Sequence, residues 1–301
     1  MTARKYAIGS DANARAMEAV KGRSLWDDAR RRLFRNKAAV TGMIILAVMV
    51  LAALIGPYLL PNDYSHLNRD NVWASPGEAG FVLGTDSLGR DLLARLLIGL
   101  RVSLAVGVVA TAVSLVIGVI WGAVAGYAGG KVDELMMRFV DVLYSLPFIF
   151  FVILLMVTFG RSFILIFAAI GAVEWLTMAR IVRGQTMSLK QKEFVEAARA
   201  AGLGPMAIIA RHIVPNLLGP VVVYVTLTIP TVILVESFLS FLGMGVQEPL
   251  TSLGTLISQG ARDMEIAWWS LVFPAGAMIL TLMSFNFIGD GLRDAIDPKD
   301  R

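Results

Sequence analysis

The chain has 301 residues, 56% hydrophobic and only 17% charged, with a net charge of +4 and a mean hydropathy of +0.69. Soluble domains run at about 45–50% apolar and about 25% charged, so the excess excludes a water-soluble fold around one core. The absence of cysteine excludes disulfides, thiolate nucleophiles and cysteine-held metals, and the two histidines, His66 and His212, lie too far apart for an all-histidine metal site.

Residues 1–37 are polar and basic. Ser24-Leu25-Trp26-Asp27 reads as a capping box opening a short helix. Trp26, Leu33 and Phe34 fall on one face, with Arg30, Arg31, Arg32 and Arg35 mostly around the other, the pattern of a helix lying on a membrane surface. Charge-free apolar runs follow at 38–60, 102–130, 142–160, 213–235 and 266–289. A helix needs about 20 such residues to cross about 30 Å of hydrocarbon. A marginal further run, 162–179, carries Glu174 near one end, where it can reach headgroups. The expected fold is an all-α integral membrane protein with six transmembrane helices: 38–60 as the first and five more within a core of 102–289. An even number of spans puts 21 of the 27 Lys and Arg residues on the side of both termini and 6 on the other. Both termini are then cytoplasmic. The positive charge reports topology and gives no nucleic-acid footprint.

Three non-spanning stretches are long enough to carry function. The outer segment 61–101 contains Leu83-Gly84-Thr85-Asp86 and Gly89-Arg90-Asp91. Leucines 92, 93, 96 and 97 then suggest an amphipathic helix over 90–100 on the outer face, with Thr85–Asp91 as its cap or as a contact for another protein. A second outer segment, 237–265, begins with an apolar run too short to span. Gly243, Gly245 and Pro249 suggest that it dips into the bundle and returns. Phe241 and Gly243 are candidate gate residues there, Asn286 is a candidate on the translocation path, and the Trp268-Trp269 pair reads as an interfacial anchor.

The cytoplasmic stretch 180–215 is the most informative. Residues 191–201 read as a helix, with Lys192–Glu196 and Glu196–Arg199 spaced for ion pairs. Gly202 and Gly204 break it, Pro205 opens a second short helix through Arg211, and Pro215 starts the next span. The result is a compact knob with small residues, Ala197, Ala198 and Ala201, on one face beside Phe194. A partner's backbone can approach such a face closely. The tail 290–301 is cytoplasmic.

The chemistry of an enzyme is missing. Gly129-Gly130-Lys131 is followed by Val132 in place of a hydroxyl residue, so there is no phosphate-binding loop. Polar groups within the spans are few, namely Asp141, Glu174, Glu236 and Asn286, each read as near an end. An ion-coupled carrier concentrates such groups at mid-bilayer. Energy for transport must then come from another protein, and the knob is the element it would grip. A self-contained channel or secondary carrier is the competing reading.

Glu196-Ala197-Ala198, three residues, Gly202, and a stretch ending at Pro215 resemble the signature of bacterial ABC importer permeases. The segments 83–91, Arg211-His212-Ile213-Val214-Pro215-Asn216, 236–243 and 285–298 are similar to the peptide/nickel branch of that family, and the chain most resembles its C-type oligopeptide permeases. Leu253-Gly254 stands where that branch has Trp-Gly, and Glu174 where it is small or neutral. The resemblance implies a type I importer permease with cytoplasmic coupling helices. It implies a second permease completing a twelve-helix pore, two cytoplasmic ATPases that bind ATP and magnesium, and a periplasmic or lipid-anchored peptide-binding protein. It assigns ATPase coupling to Glu196, Ala197, Ala198, Gly202 and Pro215, no cofactor to this chain, and oligopeptide as cargo, with dipeptide, nickel or glutathione as alternatives.

Overall fold

A computed structural model describes residues 25–160 and 163–296. The described residues are helical apart from turns and one isolated bridge, Thr85 to Asp91. Helix α1 (Leu25–Arg35) meets α2 (Lys37–Leu59) at Asn36, whose Oδ1 accepts from the backbone N–H groups of Ala38 and Ala39 at 3.0 and 3.2 Å. The expected capping box at Ser24 lies outside the described residues. Arg30 lies over the Phe34 ring, 6.0 Å from its centre.

Helix α3 (Leu92–Ala128) corrects the expectation of a separate outer helix. Its first turns are continuous with the span and are buried through Leu92, Arg95, Ile98 and Leu100. Arg101, which reads in the sequence as a boundary, is absorbed by α2. Pro57 has no N–H to give the Ala53 carbonyl, and Arg101 Nε donates to it at 2.9 Å while Nη2 donates to Leu54 at 3.0 Å. The guanidinium also sits 5.4 Å from the Tyr58 ring centre.

Helix α4 (Gly130–Ser145) ends where Pro147 forces Leu146 into extended backbone, and α5 (Phe148–Phe159) continues after a bend of 84°. The expected straight span over 142–160 is thus broken. Helix α6 (Phe163–Leu189) then packs along α3 through Gly118, Gly122 and Gly126. A Cβ on Gly118 would fall 2.6 Å from Met178 Cβ, and one on Gly126 would fall 2.7 Å from the Arg183 carbonyl. Between lipid-dissolved helices, association depends on packing, so small residues spaced four apart fix this pair. Because α6 extends to Leu189, Glu174 falls near its middle and not near an end.

Short helices α7 (Glu193–Ala200) and α8 (Pro205–Ile208) form the knob. A π-helical segment, Ile209–Ile213, joins α8 to α9 (Val214–Phe241), making one helical rod from Pro205 to Phe241. Pro215 therefore does not start a span. It lies within the rod, just after the wide π turn. Helix α10 (Leu253–Asp263) follows a loop, and α11 (Trp269–Ile296) closes the bundle against α2, α9 and α10.

Four of these helices are long and apolar enough to cross a membrane: α2, α3, the Pro205–Phe241 rod and α11. The bent α4–α5 pair makes a fifth if it is one broken span, and α6 lies where the sequence places its fourth.

Candidate functional site

The knob is anchored at its base by the last turns of α6. Arg183 makes a two-pronged ion pair with Asp133 of α4, at 2.5 and 2.6 Å, and Lys190 Nζ donates to the Gly126 carbonyl at 2.8 Å where α3 ends. Arg180 pairs with Asp141 at 2.8 Å and lies 4.2 Å from the centre of the Tyr144 ring. A planar guanidinium matched to a carboxylate sets direction as well as distance, so the Arg183–Asp133 pair ties α4 to α6 in a defined orientation.

Helix α7 turns Val195 and Ala198 inward onto Ile208, Ile209 and Ile213, with Met178 and Val182 of α6 beneath. Its C-terminus is closed by Gly202 at φ +83°. Gly202 N–H donates to the Arg199 carbonyl at 2.9 Å, and Leu203 N–H donates to Ala198 at 3.1 Å. This is a Schellman motif, which needs left-handed backbone at Gly202. Leu203 packs on the same core as Ala198, the apolar contact that accompanies such a cap.

The outward face carries Glu193, Phe194, Glu196, Ala197, Ala201, Gly202 and Met206, all exposed. Two of the expectations for it change. Ala198 is buried and belongs to the knob's own core, so only Ala197 and Ala201 supply the small surface. The expected Lys192–Glu196 and Glu196–Arg199 pairs are not formed. Arg199 instead donates to the Tyr127 hydroxyl at 3.3 Å and stacks over its ring at 5.2 Å. Glu196 is left facing outward beside an apolar patch, which suits a partner offering a cation or backbone donors.

Pro215 is exposed at the joint between knob and rod. The rod ends at Phe241, itself exposed, and Gly243 turns the chain at φ +76°. Asn286 is exposed on α11 and apart from both groups. The structure thus gathers Glu196, Ala197 and Gly202 on one surface. It places Phe241 and Gly243 at the opposite end of the rod.

That opposite end holds two networks the sequence reading missed. Glu236, expected near a span end, is fully buried. Ser103 and Ser240 hydroxyls donate to it at 3.2 and 2.7 Å, and Leu253 N–H donates to Ser103 at 3.1 Å. Three helices, α3, α9 and α10, are thereby tied at one carboxylate. In the second network Asp86 takes Arg90 at 2.8 Å and Arg95 at 3.2 Å, Arg90 reaches Glu248 at 3.0 Å, and Arg95 donates to Gln259 at 2.9 Å. Asp91 caps α3 by accepting from Leu93 and Ala94 N–H. The Thr85–Asp91 motif therefore does cap the helix. Trp269 is no surface anchor: it is buried, and its Nε1 donates to the Thr85 carbonyl at 3.2 Å, while Trp268 stays exposed. A signal for the ion cluster was present in the Asp86…Arg90-Asp91 spacing, but nothing local pointed to Glu248 or Gln259.

An all-helical membrane bundle with an exposed knob and a rod crossing the bundle has the architecture of a transporter's membrane subunit. Residues 114–301 match the family described as "Binding-protein-dependent transport system inner membrane component", and residues 24–76 match the "N-terminal TM domain of oligopeptide transport permease C". The chain is 57% identical over 283 residues to the oligopeptide transport system permease protein OppC of Escherichia coli K12, covering 94% of each. It is 56% identical over 283 residues to OppC of Haemophilus influenzae, covering 94% of this chain and 91% of that one. A solved chain of the MetNI methionine ABC transporter shares the fold at a TM-score of 0.54 and 21% identity, over 67% of this chain and 96% of that chain. The chain belongs to the binding-protein-dependent inner membrane component family, and is a permease of the ABC importer type.

Proposed function

We propose that this permease carries oligopeptides inward across a bacterial cytoplasmic membrane, driven by ATP that its partners hydrolyse. It spans the membrane six times with both termini in the cytoplasm and pairs with a second permease to form the pore. Two ATPase subunits grip the knob, and an external peptide-binding protein delivers cargo to the opposite face. The similarity to oligopeptide permeases supports the cargo.

The observation that carries the mechanism is the unbroken helical rod of 37 residues from Pro205 to Phe241, about 55 Å at about 1.5 Å per residue. Its knob end presents Glu196, Ala197 and Gly202, and its far end carries the Phe241–Gly243 turn. The continuous helix carries a push on the knob toward that turn, and its interior prolines, Pro220 and Pro230, each remove one backbone bond and are further points where it can bend. The π segment and Pro215 sit where α8 joins the span, the place at which such a lever flexes.

The chain has no cysteine, so a single Ala197→Cys variant reports one contact cleanly. In the assembled transporter it is expected to cross-link to the ATPase subunit, with a yield that changes on ATP binding. A cysteine that labels freely in every nucleotide state, with transport intact, would contradict the coupling role. Continued flux in the absence of any ATPase would instead establish the self-contained channel or carrier. Competition of peptide uptake by dipeptide, nickel or glutathione separates the cargo alternatives.

A further inference from the structure

A cavity of about 610 Å³ opens where α4 breaks into α5 against α6. Its size lies within the range of about 300–1,000 Å³ typical of ligand sites. Phe139, Tyr144, Pro147, Phe151 and Trp175 supply apolar and aromatic walls, and Glu174 is the single charged residue among those lining it. Glu174 is half-buried near the middle of α6. Its carboxylate has no hydrogen-bond or ion-pair partner among the described residues. The nearby cations are already committed: Arg180 to Asp141 and the Tyr144 ring, and Arg183 to Asp133.

In the importer reading α6 supplies the fourth span, and ionisable groups within a spanning segment are costly and face an interior or a watery path. An unpaired carboxylate among aromatic faces is complementary to an organic cation: the carboxylate takes its N–H bonds and the rings its charge. The cargo of the importer reading carries such groups, the amino-terminal ammonium of a peptide and the lysine side chain.

We propose that Glu174 and the aromatic cavity at the α4–α5 break form a subsite of the translocation path that takes an alkylammonium group of the passing peptide. The proposal rests on the importer reading. It adds a positional preference within the membrane to whatever selection occurs at delivery.

The test uses the complete transporter in proteoliposomes with ATP and saturating peptide-loaded binding protein. Four peptides of equal length are compared: one with a free amino terminus and no lysine, its acetylated form, an acetylated form with one lysine, and an acetylated form with norleucine there. E174Q is expected to slow uptake of an ammonium-bearing peptide by about tenfold relative to the neutral ones, the effect of losing one charge-assisted bond. Glu174→Asp restores much of it, and stimulated ATP hydrolysis stays at wild-type level. The free-terminus and lysine arms show which ammonium is held. A ratio of E174Q to wild-type uptake that is the same for all four peptides, whether unchanged or reduced, overturns the subsite. So does loss of the second permease from purified E174Q, which would mean that the carboxylate serves a subunit contact. Wild-type transporter that accumulates no peptide would sink the importer reading and the subsite with it, whereas normal wild-type uptake beside an indifferent E174Q sinks the subsite alone.

Discussion

Replacing Gly202 isolates the knob's turn from its surface. A Cβ built at this position meets no atom within 4 Å, so a side chain costs no steric clash and the whole penalty is conformational. With φ at +83°, an L-residue pays about 1–2 kcal/mol for left-handed backbone, and a β-branched one pays toward the upper end of about 1–3 kcal/mol. Asparagine tolerates this region best among side-chain-bearing residues. The order of damage is therefore Gly202→Asn, then Gly202→Ala, then Gly202→Val. Each 1.4 kcal/mol shifts the balance between formed and frayed turn about tenfold. The two bonds at risk are Gly202 N–H to Arg199 and Leu203 N–H to Ala198, at 2.9 and 3.1 Å. Amide exchange at residues 202 and 203 reads the turn directly, and the ratio of peptide imported to ATP hydrolysed reads coupling. Faster exchange and a falling ratio in that order, at unchanged membrane abundance, is the expected result. A Val variant coupling as well as the Asn variant would refute the reasoning.

Three further perturbations follow from particular contacts. Glu236→Ala removes the acceptor of the Ser103 and Ser240 hydroxyls in a buried site and leaves Ser240 only the Ser252 hydroxyl at 3.4 Å, at about 1–3 kcal/mol for a group left unpaired. Glu236→Gln keeps an acceptor and is expected to lose less, measured as the thermal midpoint of the detergent-solubilised transporter; no loss in Glu236→Ala would show that the network contributes nothing. Gly126→Leu is expected to lower that midpoint sharply, because its Cβ meets backbone 2.7 Å away on α6. Gly276→Ala is the neutral control, since it meets nothing within 4 Å. Arg101→Met leaves the Ala53 carbonyl without its donor beside Pro57, so protection of α2 against amide exchange is expected to fall around Leu54–Tyr58. Unchanged protection would mean that water satisfies that carbonyl.

Features governed by local chemistry were legible in the sequence. The long apolar helices, the Asp91 cap on α3, the Gly202 turn and the outward position of Glu196 and Ala197 each depend on residues a few positions apart. What could not be read was set by distant partners. Arg101 looked like a boundary because its acceptors lie 47 and 48 residues earlier. Glu236 looked peripheral because Ser103 is 133 residues away, and Arg95 finds Gln259 across 164. Ala198 looked like part of a docking face because alanine carries no signal of which side of a short helix it occupies. Pro215 reads as a start in the sequence because proline usually bounds a helix. Nothing in the sequence announces the π turn that carries the helix through it.

In the proposed mechanism, force generated by another protein enters through the knob and is carried by the Pro205–Phe241 rod. Reconstitution measures this most directly. With its partner permease, ATPases and binding protein, the chain is expected to accumulate peptide against a gradient only while ATP is hydrolysed, and the same liposomes holding this chain alone are expected to accumulate none. Uphill accumulation by the isolated chain would contradict the account.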